Sequence, residues 1–220
     1  MYWLPPHKLW FPQGKDLPGA QDIVAVGGDL SPERLLYNYR RGGFPWFNPG
    51  EPLLWWHPQR RMVLRPEEVH VGKTSRNLLN RGHLTFTVNQ AFEEVIRQCQ
   101  QVPRPGQEGT WLSDELRSSF VELHRRGHAL SVECWQEGEL AGGLYGMDLG
   151  RLFCGESMFS RVSNASKLSF IHLCRQLARE GYSLIDCQVY NPYLAQLGAY
   201  EIDRAAFIQY LPVTGEAPSR

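Results

Sequence analysis

The chain has no excess of either charge. Its 23 lysines and arginines are matched by 23 aspartates and glutamates, so no global basic field advertises nucleic acid, and any such contact must be a local patch. No apolar run approaches the roughly 20 residues needed to cross a bilayer. The opening MYWLPPHKLWFPQG lacks the cationic start and apolar stretch of a signal peptide. The five cysteines (Cys99, Cys134, Cys154, Cys174 and Cys187) form no CxxC pair and have no close histidine partner. Their odd number and wide spacing fit free buried thiols in a reducing compartment and speak against zinc. There is no G-x-S-x-G elbow, no Walker loop and no Cys–His pair, and neither repeats nor low-complexity tracts. The expectation is a soluble, cytoplasmic, monomeric protein that binds no membrane, metal or cofactor.

What is present is a change of texture along 220 residues. Residues 1–60 are rich in Pro, Gly and Trp and are expected to form a small domain. In GGDLSPERLLYNYRRGG, Ser31 is placed to cap a helix with Pro32 in its first turn, stopping at Gly42 and Gly43. Residues 61–220 alternate strands and helices more regularly. LTFTVN reads as a strand and AFEEVIRQCQQ as a helix, followed by a loop, VPRPGQEGT. A helix capped by Ser113 follows, with Leu116, Phe120 and Leu123 on one face. Two or three antiparallel strands come next, turning at EGE and DLG. NASKLSFIHLCRQLAREG is a helix, YSLIDCQVYN a strand and AAFIQYLPV a final strand, with TGEAPSR a loose tail. The class is α+β. The order strand–strand–strand–helix–strand–loop–strand resembles the GNAT acyltransferase core, and YLAQLGAYEI resembles the turn before its last strand. The helix after the central strands is entered by SRVSNASK, without the glycine-rich loop that would cradle a pyrophosphate. That argues against coenzyme A as acyl donor.

Two strands carry polar groups among apolar ones. Strict alternation in IDCQVY sets Ile185, Cys187 and Val189 on one face and Asp186, Gln188 and Tyr190 on the other. In LFCGESMFS, Cys154, Glu156, Met158 and Ser160 share a face provided no bulge intervenes at Gly155. A carboxylate there is costly to bury without a partner. A structural ion pair explains Glu156 as readily as a pocket does, and Asp186 and Gln188 are open to the same account. If the strands share a site, Asp186 could orient Gln188 by accepting from its side-chain NH₂. The seven histidines are dispersed and read as surface or structural. Without a nucleophile–base pair, the residue types suit aminolysis of an already activated acyl group, helped by positioning.

GGDLSPERLLYNYRRGGFPWF, EPLLWWHP, FCGESMFSRVSNASK and LIDCQVYN…LGAYEI together resemble the leucyl/phenylalanyl-tRNA–protein transferases. The resemblance implies a small N-terminal domain followed by a GNAT-like domain with a mixed, largely antiparallel sheet. It implies transfer of Leu or Phe, less readily Met, from aminoacyl-tRNA to the α-amino group of proteins beginning with Arg or Lys, creating an N-degron. It places Glu156 at the aminoacyl group, and Asp186 and Gln188 beside the attacking amine. There either Gln188 draws a proton or the terminal ribose of the tRNA assists. Trp46 and Trp111 match the aromatics that embrace the terminal adenosine, whereas Trp55 and Trp56 read as core. Leu144, Met158, Leu173 and Ile185 match the lining of the donor side-chain pocket, though Met158 and Ile185 suit plain core as well. Arg40, Arg41, Lys73, Arg76 and Arg81 are phosphate candidates. Three departures from the family pattern bear on the tRNA footprint: Gly43 before Phe44, His57 after the paired tryptophans, and GKTSRN after Val71.

Overall fold

The computed structural model describes residues 1–17, 19, 21–48, 50–102 and 112–212. Strands β1 (Tyr2–Leu4), β2 (Ile23–Gly27), β3 (Phe44–Pro45) and β4 (Leu54–Trp56) form a small sheet in the order β1-β2-β4-β3. Helix α1 (Pro32–Tyr39) joins β2 to β3, and Ser31 caps it by accepting from the Arg34 N–H. The Arg34 side chain is fully buried and donates to the carbonyls of Pro5 and Lys8 and to the Asp29 carboxylate. It thereby ties the N-terminal segment to the helix.

A seven-stranded sheet follows: β5 (Arg60–Leu64), β6 (Thr85–Val88), β7 (Ala129–Gln136), β8 (Glu139–Asp148), β9 (Leu152–Ser160), β10 (Leu184–Gln188) and β11 (Tyr200–Asp203). Its order is β11-β5-β10-β9-β8-β7-β6. Every neighbouring pair is antiparallel except β9–β10. A parallel pair needs a crossover. Of the helices α2 (Lys73–Asn80), α3 (Phe92–Gln101), α4 (Asp114–Arg125) and α5 (Ala165–Arg179), it is α5 that makes this crossing. The expected strand–strand–strand–helix–strand order is therefore present, ending through α6 (Pro192–Ala195) in β11.

Alternation along the strands builds two cores. Val63, Tyr145, Cys154 and Leu184 point into one, shared with α3, α4 and the small sheet through Phe92, Phe120 and Trp55. Met62, Leu64, Leu144, Phe153 and Ile185 point into the other, which α5 covers with Phe170, Leu173 and Leu177. The Ser113 cap and the buried Leu116, Phe120 and Leu123 of α4 are as the sequence led one to expect.

One element differs. The segment AAFIQYLPV was expected as the last strand, but its start lies in helix α7 (Arg204–Ile208), and the last strand is β11 just before it. The buried side chains of α7, Arg204 just before the segment and Phe207 within it, are three apart, a helical spacing rather than a strand's. The tail TGEAPSR lies outside the described residues, as does all of the loop VPRPGQEGT but Val102.

Candidate active site

Two bulges make the site. Against β8, Tyr145 pairs with Ser157 and Gly146 with Gly155, so Glu156 is the extra residue of β9. A Cβ on Gly146 would lie 2.1 Å from the Cys154 carbonyl oxygen, so only glycine fits at this crossing. The extra residue flips the pattern beyond it. Cys154 packs into the core shared with the small sheet, whereas Met158 packs with the α5 side. The single face expected for Cys154, Glu156, Met158 and Ser160 does not form.

The second bulge is in β10, where Asp186 pairs with Val63 and Gln188 with Met62, leaving Cys187 unopposed. Gln188 has φ of +66°, a left-handed backbone uncommon for a residue with a side chain. Strict alternation from Ile185 to Tyr190 is therefore broken. Asp186 is fully buried and forms a two-point ion pair with Arg61, whose Nε and Nη2 donate to its two oxygens at 2.7 and 2.6 Å. The Gln188 backbone N–H donates to the same carboxylate at 2.8 Å, which holds the left-handed turn. Arg61 also donates to the Gly42 carbonyl at 3.1 Å and lies between the rings of Phe44 and Phe207. The expected contact from the Gln188 side-chain NH₂ to Asp186 is absent. That NH₂ donates instead to Glu156 Oε1, at 2.8 Å.

The same Oε1 accepts a second hydrogen bond, 2.7 Å long, from the hydroxyl of Tyr39 at the end of α1. Although the residue's surface is only partly covered, enough protein surrounds the Glu156 carboxyl that desolvation, helped by the Asp186 charge, pushes its pKa up to about 8. The two hydrogen bonds and Arg61 act in the opposite sense. Burial likewise raises the Tyr39 phenol well above its ordinary range, so it stays a donor. The Cys154 and Cys187 thiols are pushed well up by burial and are inert as nucleophiles.

These groups open onto a cavity of about 710 Å³. Glu156, Asp186, Gln188, Trp46, Leu144, Met158 and Ile185, all singled out from sequence, lie along its wall. Leu173 does not. It is buried inside the α5 core, and the same helix turns Phe170 and Ser166 toward the cavity instead. Trp46 leans on Trp56, with centroids 5.1 Å apart and the Trp56 indole N–H on its carbonyl. Trp55 is fully buried, in keeping with a core role. Trp111 lies outside the described residues.

None of the five basic candidates borders the cavity. Arg41 stacks over Tyr37 and donates to its carbonyl; Arg40 is the C-cap of α1. Lys73, Arg76 and Arg81 are exposed on α2 and its end. A second hollow of about 390 Å³ shares Val189 and Tyr190 with the first and carries Asp22, Glu201 and Arg60.

Sequence reasoning missed Arg61 and Tyr39, the residues that fix Asp186 and Glu156, as well as Phe153, Phe170 and Tyr193 of the lining. A tyrosine beside the apolar stripe of α1 was the one available sign, because a phenol at a core position needs a partner. His57 is fully buried against Gly42 and Phe207. Desolvation and the guanidinium groups of Arg61 and Arg204 hold its pKa well below the usual range, so the ring is neutral. Among the described residues no group of three or more His, Cys, Asp or Glu side chains could hold a metal ion, and no helix is long and apolar enough to cross a membrane.

The family model described as leucyl/phenylalanyl-tRNA protein transferase matches residues 63–212, and that of the N-terminal domain of the same family matches residues 28–59. A leucyl/phenylalanyl-tRNA–protein transferase of Flavobacterium johnsoniae is 53% identical over 92% of this chain and 95% of its own. One from Teredinibacter turnerae is 50% identical over 96% of this chain and 82% of its own. Among solved structures, L-PGS from Bacillus licheniformis superposes with a TM-score of 0.43 at 16% identity, covering 76% of this chain and 54% of that one. That likeness is too slight to argue from.

Proposed function

The chain belongs to the leucyl/phenylalanyl-tRNA–protein transferase family, and on that premise we propose that it moves Leu or Phe, and less readily Met, from aminoacyl-tRNA to the α-amino group of proteins beginning with Arg or Lys. The product carries an N-degron, and the enzyme works as a cytoplasmic monomer, with residues 1–60 as the small domain and 61–220 as the catalytic one. The observation that carries the reading is the pair Glu156–Gln188, hydrogen-bonded at the wall of an apolar cavity.

The acceptor amine attacks the ester carbonyl of the aminoacyl group. An amide bond forms, the ester C–O bond breaks, and the ribose oxygen leaves with a proton. The Gln188 NH₂ is engaged by Glu156, which leaves the amide oxygen to accept an N–H of the incoming amine. Asp186 is not the base: its oxygens are engaged by Arg61 and by the Gln188 backbone. Its part is to hold Gln188 in place, and the amine's proton passes to the departing ribose oxygen. Glu156 meets the α-amino group of the donor. Leu144, Met158, Ile185 and Phe170 receive the donor side chain, and a cavity that separates apolar guests by only about 1–3 kcal/mol per methylene takes both Leu and Phe, with Met158 adapting to either. Trp46 stacks on the terminal adenosine, a contact worth about 1–3 kcal/mol. The hollow bearing Asp22 and Glu201 against the single cation Arg60 agrees with a basic first residue on the acceptor.

The test is transfer of labelled phenylalanine from charged tRNA to two peptides that differ only in an N-terminal Arg or Ala. Label on the Arg peptide alone is the expected result. No label on either, with folded protein and intact charged tRNA, overturns the reading.

A further inference from the structure

We propose that Tyr39, carried by the helix of the small N-terminal sheet, is a positioning residue for transfer, its hydroxyl fixing which oxygen of Glu156 faces the substrate. The proposal rests on the transferase reading above and adds a residue to it.

Tyr39 is 1% exposed, with its ring edge-on to Phe120 at 6.3 Å. A phenylalanine would fill that space as well, and a buried hydroxyl is costly unless it is bonded. The hydroxyl finds its acceptor 117 residues away, on the one residue of β9 that the bulge releases from strand pairing. Glu156 Oε1 accepts from Tyr39 and from Gln188 together, which fills both lone pairs of that oxygen. Oε2 has no partner among the described residues, and it is the atom left for a substrate N–H. If the phenol were lost, one donor would no longer fix the carboxyl's rotation, and the carboxyl would change places with bulk water or swing toward Gln188.

The titratable and charged groups that act on the carboxyl are Tyr39 on α1, Cys154 on its own strand, Asp186 on β10 and Arg61 on β5, and Tyr145 on β8 acts on the Tyr39 phenol. Among them Tyr39 and Arg61 favour the ionised carboxyl, and Asp186 disfavours it. Removing the hydroxyl alone must therefore move the Glu156 titration to higher pH.

The experiment is Tyr39→Phe in the full chain, with single-turnover transfer of phenylalanine to the Arg peptide followed from pH 6 to pH 9. A hydrogen bond to an ionisable group predicts a loss of about 10-fold to 100-fold in the transfer rate. The pH–rate profile shifts to higher pH, the melting temperature is nearly unchanged, and Tyr39→Phe adds little when Glu156→Gln is already present. An unchanged rate and profile overturns the proposal. So does a loss of rate that tracks a loss of stability with the profile unmoved, because that is a packing role. Carbon-detected NMR of the Glu156 carboxyl in the free protein gives a readout independent of transfer. A midpoint that rises in Tyr39→Phe while wild-type transfer fails keeps the Tyr39–Glu156 contact and overturns the transferase reading, and with it the role in transfer; an unmoved midpoint overturns the proposal at the contact itself.

Discussion

Asp186 and Gln188 are two positions apart, yet their side chains reach different partners. The carboxylate meets a buried guanidinium, and the amide reaches another strand. The sequence shows two polar residues on a strand of Ile and Cys, but no local pattern names Arg61, which is 125 residues away. Asp186 is thus in an ion pair, and Glu156 and Gln188 meet at the wall of one cavity. Breaking a buried pair from one side costs about 3–5 kcal/mol because the other charge stays buried. Asp186→Ala should lose stability of that order in urea unfolding as well as activity, whereas Gln188→Ala should lose transfer and keep its stability and tRNA binding. A catalytic relay through Asp186 predicts loss of activity alone for both. Glu156 supplies a further test. Its folded pKa of about 8 lies above its ordinary 4.5, so the folded chain holds a proton that the unfolded chain releases. This group's contribution is fully present below about pH 4.5, falls as pH rises, and levels off above about pH 8. The stability of Glu156→Gln relative to wild type should therefore grow between those limits and stay constant beyond them. A difference that is flat across the window would mean Glu156 titrates as an ordinary carboxylate.

At the scale of elements, most helices and strands follow from periodicity and caps: the Ser31 and Ser113 caps, the hairpins β7–β8–β9 and the crossover α5 all lie where hydrophobic spacing and turn residues put them. What escapes is anything that alternation assumes rather than states. The bulge at Glu156 and the left-handed Gln188 each insert a residue that period-two reading counts as ordinary. Their determinants are cross-strand, such as the approach of the Cys154 carbonyl to Gly146. The final helix α7 was legible in the spacing of Arg204 and Phe207, but the apolar residues around them suggested a strand. The bulge itself is testable through its glycine. Gly146→Ala puts a methyl group 2.1 Å from a backbone oxygen that cannot swing away, so β8 and β9 must separate or shift register. The expected result is a loss of about 1–3 kcal/mol or more and a fall in transfer larger than stability alone explains. Alanine at Gly138, where the space for a Cβ is open but φ is positive, should lose a smaller amount of stability from backbone strain and leave transfer unchanged. Equal effects at the two positions would remove the bulge from the account of the site.

The whole molecule brings a tyrosine from the helix beside one sheet to a carboxyl on another, and the two sheets share a core that runs from Trp55 through Phe120 to Cys154. Its balanced charge requires the tRNA to be held by a local strip, and two parts of the expected strip fare differently. Arg41 is turned back onto Tyr37, stacking on its ring and donating to its carbonyl, so its guanidinium would have to leave these contacts to reach a phosphate. Lys73, Arg76 and Arg81 stand exposed on one short helix and its end, where the cost of desolvation is small. Each phosphate neutralised releases counterions, so the logarithm of the binding constant falls with the logarithm of salt concentration by about 0.9 per contact on a duplex. Charged-tRNA binding should therefore weaken steeply with salt despite the neutral chain. Replacing Lys73, Arg76 and Arg81 by alanine one at a time should each lower that slope by about 1, and Arg41→Ala should leave the slope nearly where it was. The transfer rate at saturating tRNA should survive all four substitutions, because none of these side chains borders the cavity. A slope that changes with Arg41 and not with the α2 cations would place the tRNA along the small sheet and away from α2.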